Sequence, residues 1–394
     1  MSEWKKVKLG DYIDVLSGFA FKSKDFSDSG IPVIKIKNVC PPYISLEDLS
    51  YVPNSIAFQN PRYILRKGDV LIAMTGSHIN QIASVVGRVG RVRYDAITVL
   101  NQRVGKIVNK NEAKSSLDYI YYYLSQYEVK VELAQKAGGA ANQANISPSD
   151  IKNLLFPCPP IEVQNRIATI LSRYDSLIEN YQKQIKLLEE AAQRLYKEWF
   201  IDLHFPGHET TKIVEGVPEG WGPSKLGQLV EFKRGKTITK KEIIEGQVPV
   251  VAGGLEPAYY CNKSNTAERV ITVSGSGANA GFTRMYFEKV WASDCSFVDI
   301  STTPFLHFVY CYLKDNKTTI DNMQKGAAQP HVYAKDINAL EICIPNKNVL
   351  KSFENNASKY FDTIESFQFQ IRHLTEARDR LLPKLMSGEI EFGH

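Results

Sequence analysis

Three short segments carry residues that could do chemistry, and the first has the spacing of a nuclease site. Asp150-Ile151-Lys152 matches the D-x-K ending of metal-dependent nuclease motifs. Such a site needs at least one further carboxylate in register to hold its metal ion. The second copy of this segment, Asp336-Ile337-Asn338, lacks the lysine. We therefore interpret Asp150 as part of the first turn of a helix, where its charge suits the helix dipole.

The second segment is a glycine-rich loop, Gly275 to Gly281, which follows a strand-like run. Its glycine spacing differs from G-x-G-x-x-G, and residues 282–287 have the pattern of another strand instead of a helix. We expect a strand–turn–strand whose glycine-lined loop lies on a binding face. Thr75-Gly76-Ser77 is its counterpart in the first half of the chain.

The third segment, Cys40-Pro41-Pro42-Tyr43, is similar to the Pro-Pro-aromatic loop of adenine-N6 methyltransferases. That loop begins with Asn or Asp, which accepts a hydrogen bond from the target amino group, and cysteine is a poor acceptor. We expect a simple turn here. No phosphate loop and no His or Cys cluster at metal-ligand spacing occurs in the sequence, so we predict no catalytic residues, no metal and no cofactor.

Composition favours a cytoplasmic protein without a membrane span. No run of about 18 apolar residues occurs, and the first residues lack the apolar core of a secretion signal. The six cysteines form no C-x-x-C pair, and we interpret them as scattered buried thiols in a reducing compartment.

Side chains that could contact DNA are plentiful in the loops of both halves. Bases are read by Arg, Lys, Asn, Gln, Ser and Thr, and phosphates are bound by Lys and Arg. The first half offers Lys22, Lys24, Lys35, Lys37, Asn38, Ser77, His78, Asn80, Gln81, Arg88, Arg91 and Arg93. The second half offers Lys233, Arg234, Lys236, Lys240, Lys241, Ser276, Asn279 and Arg284. Taken singly, each is better explained as a solvated surface residue than as a base reader, and only as loop clusters do these residues indicate a DNA-binding face.

Gln143 and Gln329 are further candidates for DNA contact. Each follows a run of small residues, Gly138 to Ala141 and Gly326 to Ala328, which lets the backbone approach a neighbour closely. A packing turn and a DNA contact explain this pattern equally well. The formal charge is +5, with a cationic surplus of six in residues 1–155 and of one in residues 217–343, which fits a polyanionic ligand of these segments.

The elements that must position these residues occur twice. Trp4, Gly10 and Gly18 recur 217 positions later as Trp221, Gly227 and Gly235. A second series, with a step of 186, carries Gln143, Asp150, Leu154, Pro159, Tyr174 and Leu195 onto Gln329, Asp336, Leu340, Pro345, Tyr360 and Leu381. The chain therefore consists of two copies of one unit, and the second copy is 31 residues shorter.

Each copy ends in a long helix with coiled-coil spacing. Apolar residues recur at steps of three and four from Val163 to Leu195, which predicts a helix from Glu162 to about Phe200. The second helix contains a stripe from Val349 to Leu381, and Pro383 and Gly388 are expected to end it. Each stripe could lie on its own globular domain, but their similar length favours two helices that pack against each other, antiparallel and roughly 60 Å long.

We predict an α+β fold: two similar mixed α/β domains, separated by two long antiparallel coiled-coil helices in a pseudo-two-fold internal repeat. The expected boundaries are 1–157 for the first recognition domain, 158–216 for a helical spacer with its linker, 217–343 for the second recognition domain and 344–394 for the second helical spacer. Strands are expected at residues 31–36, 69–73 and 269–273, and helices at residues 116–126 and 304–313.

The whole chain resembles the specificity subunit of type I restriction–modification enzymes. The resemblance rests on Leu187 to Phe200, Phe205 to Glu209, Val217 to Trp221 and Arg378 to Ile390, together with the Gly-Ala-Ala runs that lead to Gln143 and Gln329. It implies a chain that is not itself a catalyst. Each recognition domain would bind one half of an asymmetric bipartite duplex DNA target, and the helices would set the spacing between the halves.

The resemblance also implies the partners. The helices would dock two modification subunits, which bind S-adenosylmethionine and methylate adenine, and restriction subunits would join through the complex. Two other classes of function remain open. One is a non-enzymatic scaffold with two modules that bind protein or single-stranded nucleic acid. The other is a fused methylase–nuclease, against which the missing motifs argue.

Overall fold

The computed structural model describes residues 4–76, 86–138, 144–239, 242–325 and 330–390. Candidate residues Ser77, His78, Asn80, Gln81, Gln143, Lys240, Lys241 and Gln329 lie outside these described ranges. The chain forms two compact units. Unit 1 comprises residues 1–178 and 372–394, and unit 2 comprises residues 179–371.

Unit 1 is built from short strands and a few short helices. Its strands are β1 (Lys6–Lys8), β2 (Ile13–Ser17), β3 (Ile31–Ile34), β4 (Val39–Cys40), β5 (Tyr43–Ile44), β6 (Ser50–Val52), β7 (Ile64–Leu65), β8 (Val70–Ala73), β9 (Thr75–Gly76), β10 (Val89–Arg91), β11 (Thr98–Leu100), β12 (Val104–Asn109), β13 (Ala144–Asn145) and β14 (Leu155–Pro157). Its shorter helices are α1 (Asn54–Ala57), α2 (Leu117–Leu124), α3 (Tyr127–Lys136) and α4 (Pro148–Lys152).

The sequence expectations for unit 1 are largely confirmed. The Ser116 hydroxyl caps α2 by accepting a hydrogen bond from the Tyr119 N–H, and Asp150 lies in the first turn of α4 as expected. Cys40 to Tyr43 form the turn between β4 and β5. The strand expected at residues 31–36 ends at Ile34, because a 3-10 turn begins at Ile36.

Unit 2 repeats this construction with fewer strands. They are β15 (Ile213–Val214), β16 (Val217–Pro218), β17 (Gly222–Lys225), β18 (Lys233–Arg234), β19 (Val248–Val251), β20 (Tyr259–Cys261), β21 (Val270–Ser274), β22 (Thr283–Tyr286), β23 (Trp291–Ala292), β24 (Cys295–Asp299) and β25 (Glu341–Ile344). The helices are α6 (Leu226–Leu229), α7 (Leu306–Asp315), α8 (Lys317–Asn322) and α9 (Ala334–Asn338). The glycine-rich loop joins β21 to β22, which confirms the expected strand–turn–strand.

The sheets of the two units share one topology. The sheet of unit 1 has the strand order β2-β12-β8-β10-β5-β4, and that of unit 2 has the order β18-β24-β21-β22. A parallel pair recurs as β3-β11 and β19-β23, and an antiparallel pair recurs as β1-β14 and β17-β25. The hairpin of β4 and β5 adds strands to the edge of the larger sheet in unit 1, where the chain has its extra residues.

Two long helices, α5 (Ile161–Phe200) and α10 (Lys347–Ser387), contribute to both units. In unit 1, Ile167 and Leu171 of α5 share a core with Leu385 and Met386 near the end of α10. In unit 2, the later half of α5 packs with the first half of α10, and the rings of Tyr181 and Phe367 stack with centroids 4.8 Å apart. The predicted antiparallel helix pair is therefore confirmed.

Two details of the sequence interpretation were wrong. Pro383 does not end α10, because the helix continues to Ser387 and buries Leu385 and Met386, which offsets the hydrogen bond that proline cannot donate. The cysteines are not uniformly buried. Cys261, Cys295 and Cys311 are buried, whereas Cys343 on β25 is exposed. In the described residues, no helix is long and apolar enough to cross a membrane.

Candidate nucleic-acid interface

Two of the predicted DNA contacts near β3 instead have structural roles. Asn38 is only 2% exposed; its side-chain carbonyl accepts from the Lys35 N–H and its amide donates to the Glu47 carbonyl. The Lys35 ammonium donates to the Ser50 hydroxyl at 2.8 Å, and burial lowers the pKa of Lys35. Because its amide is used internally, Asn38 cannot reach a base in this structure.

Lys22, Lys24 and Lys37 are exposed in unit 1. Lys37 forms a surface ion pair with Asp48, whose pKa is lowered by the hydrogen bond that it accepts from this lysine. An exposed pair of this kind contributes little to stability. These three lysines therefore keep the chemistry that phosphate binding requires.

The arginines near β10 are anchored inside unit 1. Arg91 pairs with Asp118 at 2.8 Å and lies over the ring of Tyr121, with its guanidinium carbon 4.4 Å from the ring centroid. Arg93 pairs with Asp175, which is only 5% exposed, at 3.2 Å. Both guanidinium groups hold the sheet to the helices, so the expected DNA contact is not supported at Arg91 or Arg93. Arg88 is half-buried.

Unit 2 presents a basic strand beside a cleft. Lys233, Arg234 and Lys236 are exposed on or next to β18. Gly235 lies among them because the carbonyl groups of Ala292 and Ser293 leave no room for a Cβ atom; an added one would lie 2.4 Å from the Ser293 oxygen. The glycine thus lets β18 approach the neighbouring chain closely while its flanking cations face outward.

The cleft has a volume of about 390 Å³. The residues around it include Arg234, Asp294, His331, Tyr333 and Lys335. The rings of His331 and Tyr333 are nearly parallel, with centroids 5.8 Å apart and an interplanar angle of 9°. Positive charge, a carboxylate and flat rings thus meet in one concave surface, a combination suited to phosphates and base edges.

The remaining candidates of unit 2 lie around this region with their own partners. The Ser276 hydroxyl donates to the Asp294 carboxylate, and the backbone carbonyl of Asn279 accepts from the Phe282 N–H. Arg284 donates to the Leu255 carbonyl at 2.8 Å and lies 3.3 Å from Glu256. Ser276 therefore bonds a residue that lines the cleft, whereas Arg284 bonds the loop that contains Leu255 and Glu256.

Sequence reasoning did not identify Asp294, His331, Tyr333 or Lys335. The predicted contacts were confined mainly to cationic, amide and hydroxyl side chains, which explains why Asp294 and Tyr333 were missed but not why His331 and Lys335 were. The signal that could have found two of them is position, since His331 and Tyr333 lie two and four residues after the glutamine of the Gly-Ala-Ala run.

A nucleophilic role for the cleft is not favoured. Cys295 lines it, but burial raises the pKa of this thiol to about 12, so it is protonated at neutral pH. Among the described residues, no group of three or more His, Cys, Asp or Glu side chains could hold a metal ion. The arrangement is suited to binding.

Comparison with known proteins identifies the family. The model of the type I restriction modification DNA specificity domain matches residues 1–190 and 218–373, once in each half of the chain. The chain belongs to this family. It is a specificity subunit of a type I restriction–modification system, with two copies of the specificity domain.

Full-length relatives support this assignment. The type I restriction enzyme MjaIX specificity subunit of Methanocaldococcus jannaschii is 27% identical, over 98% of this chain and 94% of the relative. The type I restriction enzyme EcoBI specificity subunit of Escherichia coli is 23% identical, over 98% of this chain and 86% of the relative. The crystal structure of the S subunit from M. genitalium shares the fold, with a TM-score of 0.58, 18% identity and coverage of 99% and 97% of the two chains.

Proposed function

We propose that this specificity subunit binds an asymmetric bipartite duplex DNA target, with residues 1–157 reading one half and residues 217–343 reading the other. The observation that carries the proposal is the duplicated framework, in which two units share a sheet topology but differ in their exposed side chains. Two weak readers on one chain bind a composite site with a high effective concentration. Half-sites on one face of B-DNA would lie roughly 34 Å apart.

The helical segments, residues 158–216 and 344–394, would set the gap between the half-sites and dock two modification subunits. Leu187 on α5 is 63% exposed and is a candidate for such a contact. The relatives are named as subunits of restriction enzymes, which supports assembly with catalytic chains. Those partners would supply S-adenosylmethionine-dependent adenine methylation, and restriction subunits would join through them, so this chain would not be a catalyst. The complex would act in the cytoplasm, where its DNA target lies.

Mapping methylated adenines in a host with and without this chain tests the function. The expected result is two short specified sequences separated by a fixed unspecified gap, with all methylation at this motif lost on deletion. Retention of duplex DNA that is indifferent to sequence, measured with the modification subunits present, would favour the scaffold alternative. Methyl transfer by the purified chain alone would favour an enzyme.

Exchanging residues 1–157 for the same segment of another family member should change one half-site only. The physical reason is that every strand of a sheet pairs with strands of its own unit. DNA contacts made by one unit therefore do not depend on the loops of the other unit. Methylation mapping of the hybrid checks this result. A hybrid in which both half-sites change would contradict the assignment of one half-site to each unit.

Lys233 and Lys236 should contribute to the salt dependence of DNA binding. Replacing both with glutamine removes up to two phosphate contacts, each of which changes the slope of log K against log salt by about 0.9. We expect the slope to fall by up to about 1.8. Titrations of the complex with target DNA at several salt concentrations measure it. Lys225→Gln, at an exposed position of β17, is the matched control and should leave the slope unchanged.

A further inference from the structure

The same backbone hydrogen bond, which we call the strand junction, joins the end of one strand to the start of another in both units. In unit 1, the Met74 N–H after β8 donates to the carbonyl of Arg103, the residue before β12, at 3.0 Å. In unit 2, the Gly275 N–H after β21 donates to the carbonyl of Asp294, the residue before β24, at 3.0 Å. These bonds place Arg103 and Asp294 at the same position of the shared framework.

Further bonds fix this equivalence. The Met74 carbonyl accepts from the Ile146 N–H at 2.9 Å, and the Gly275 carbonyl accepts from the Val332 N–H at 3.1 Å. Arg103 and Asp294 are therefore 191 positions apart in sequence, and Ile146 and Val332 are 186 positions apart. Equivalent residues near the start of each copy are 217 positions apart. The two copies therefore differ in the lengths of the loops between these hydrogen bonds, whereas the hydrogen bonds themselves occur in both copies.

The side chains at this position have opposite hydrogen-bonding character. Arg103 is exposed, and in the described part of the chain no side chain or carbonyl bonds its guanidinium. Asp294 is half-buried and lines the cleft of unit 2. Its Oδ2 atom accepts a hydrogen bond from the Ser276 hydroxyl. No donor among the described residues reaches its other oxygen, Oδ1. One unit thus presents a donor where the other presents an acceptor.

We propose that Arg103 and Asp294 are the equivalent base-reading residues of the two units; this inference rests on the proposed function. Arg103 would donate to O6 and N7 of a guanine in one half-site. Asp294 would accept a hydrogen bond from the exocyclic N4 amino group of a cytosine in the other half-site. These pairings follow from the donor and acceptor patterns of the major groove. They also explain physically how one framework reads two different half-sites.

Ser276 is the positioning residue for Asp294. Its hydroxyl occupies one carboxylate oxygen, which fixes the carboxylate plane and leaves the other oxygen as an acceptor. In unit 1 the equivalent hydroxyl, that of Thr75, donates instead to Oδ1 of Asn145 at 2.7 Å. The long Arg103 side chain therefore has no such constraint. Arg234 and Lys335 beside the cleft supply the positive charge that a nearby phosphate requires.

Asp294→Asn tests the proposal in the complex of the full chain with its modification subunits. In this variant the Ser276 hydroxyl can donate to the amide oxygen, so the amide NH2 replaces the free acceptor with a donor. We expect affinity for the wild-type target to fall roughly 5- to 150-fold. In methylation mapping, the cytosine preference at one base pair should be lost, while the other half-site and the gap stay unchanged. Arg103→Gln should weaken the preference for guanine at one position of that other half-site.

Controls separate this inference from the function itself. Asp315→Asn and Arg66→Gln, at exposed positions of units 2 and 1, should leave the motif and affinity unchanged. An unchanged motif and affinity in both test variants would overturn the inference. Loss of both half-sites together with a lower melting temperature would assign these residues a structural role and overturn it as well. If the wild-type complex methylates no bipartite motif, the proposed function fails instead.

Discussion

Asp175→Ala is expected to destabilise unit 1 by about 3 to 5 kcal/mol. Asp175 of α5 is only 5% exposed and bonds three side chains. Its carboxylate lies 2.8 Å from Arg378 of α10 and 3.2 Å from Arg93, and it accepts the Tyr122 hydroxyl at 2.9 Å. Alanine would leave two arginines, 17% and 19% exposed, without their shared anion.

Asp379→Ala is the matched control, because Asp379 binds the same guanidinium of Arg378 at 2.8 Å but is 57% exposed. Solvent screens this pair, so its loss should cost less than about 1 kcal/mol. Hydrogen exchange followed by mass spectrometry measures both variants and resolves unit 1 from unit 2. Equal destabilisation by the two substitutions would contradict a special role for the buried carboxylate. The network joins α5 and α10 to α2 and to the segment that follows β10, so its loss should also loosen the recognition sheet from the helices.

Phe353→Ala is expected to destabilise unit 2 by about 3 to 5 kcal/mol. Phe353 of α10 is fully buried. Its ring centroid lies 5.0 Å from that of Phe200, 5.8 Å from Trp199 and 6.1 Å from Phe308. Three separate elements meet at this ring, so truncation leaves a cavity that none of them can fill alone.

Phe369→Ala, on the same helix and in the same unit, provides the comparison. Phe369 is 39% exposed, so its removal should cost under about 1.5 kcal/mol. Urea denaturation followed by tryptophan fluorescence suits the measurement, because Trp199, Trp221 and Trp291 all lie in unit 2. Similar midpoints for the two variants would show that the aromatic cluster does not hold α5 and α10 together.

Local pattern was sufficient to predict the repeated elements. The apolar steps from Val163 to Leu195 predicted α5 to within one residue at its start. Two helices with the same stripe predicted their mutual packing, because neither stripe can face water. Pro383 was misjudged since proline disfavours a helix only locally, and burial of the following Leu385 and Met386 outweighs that cost.

The DNA-contact candidates were predictable only as a class. Arg91 and Arg93 have the residue type that binds phosphates. Their partners decide otherwise, and Asp175 is 82 positions from Arg93 in sequence. Asn38 is buried, and its side chain hydrogen-bonds the carbonyl of Glu47 and the N–H of Lys35. Which cations remain at the surface depends on such pairings.

The sequence by itself determined the duplication, the paired long helices and the family, because each depends on periodicity or on short runs of neighbouring residues. Only the tertiary structure decided that Arg103 and Asp294 occupy one position, and that Asp294, His331 and Tyr333 meet in one cleft. Arg103 and Asp294 are 191 positions apart, which matches neither the step of 217 nor the step of 186 in the repeat. Because loops of different length lie between them and the repeated residues, the sequence alone does not align them. Hydrogen bonds between distant strands preserve that correspondence, since a sheet keeps its register while its loops change length.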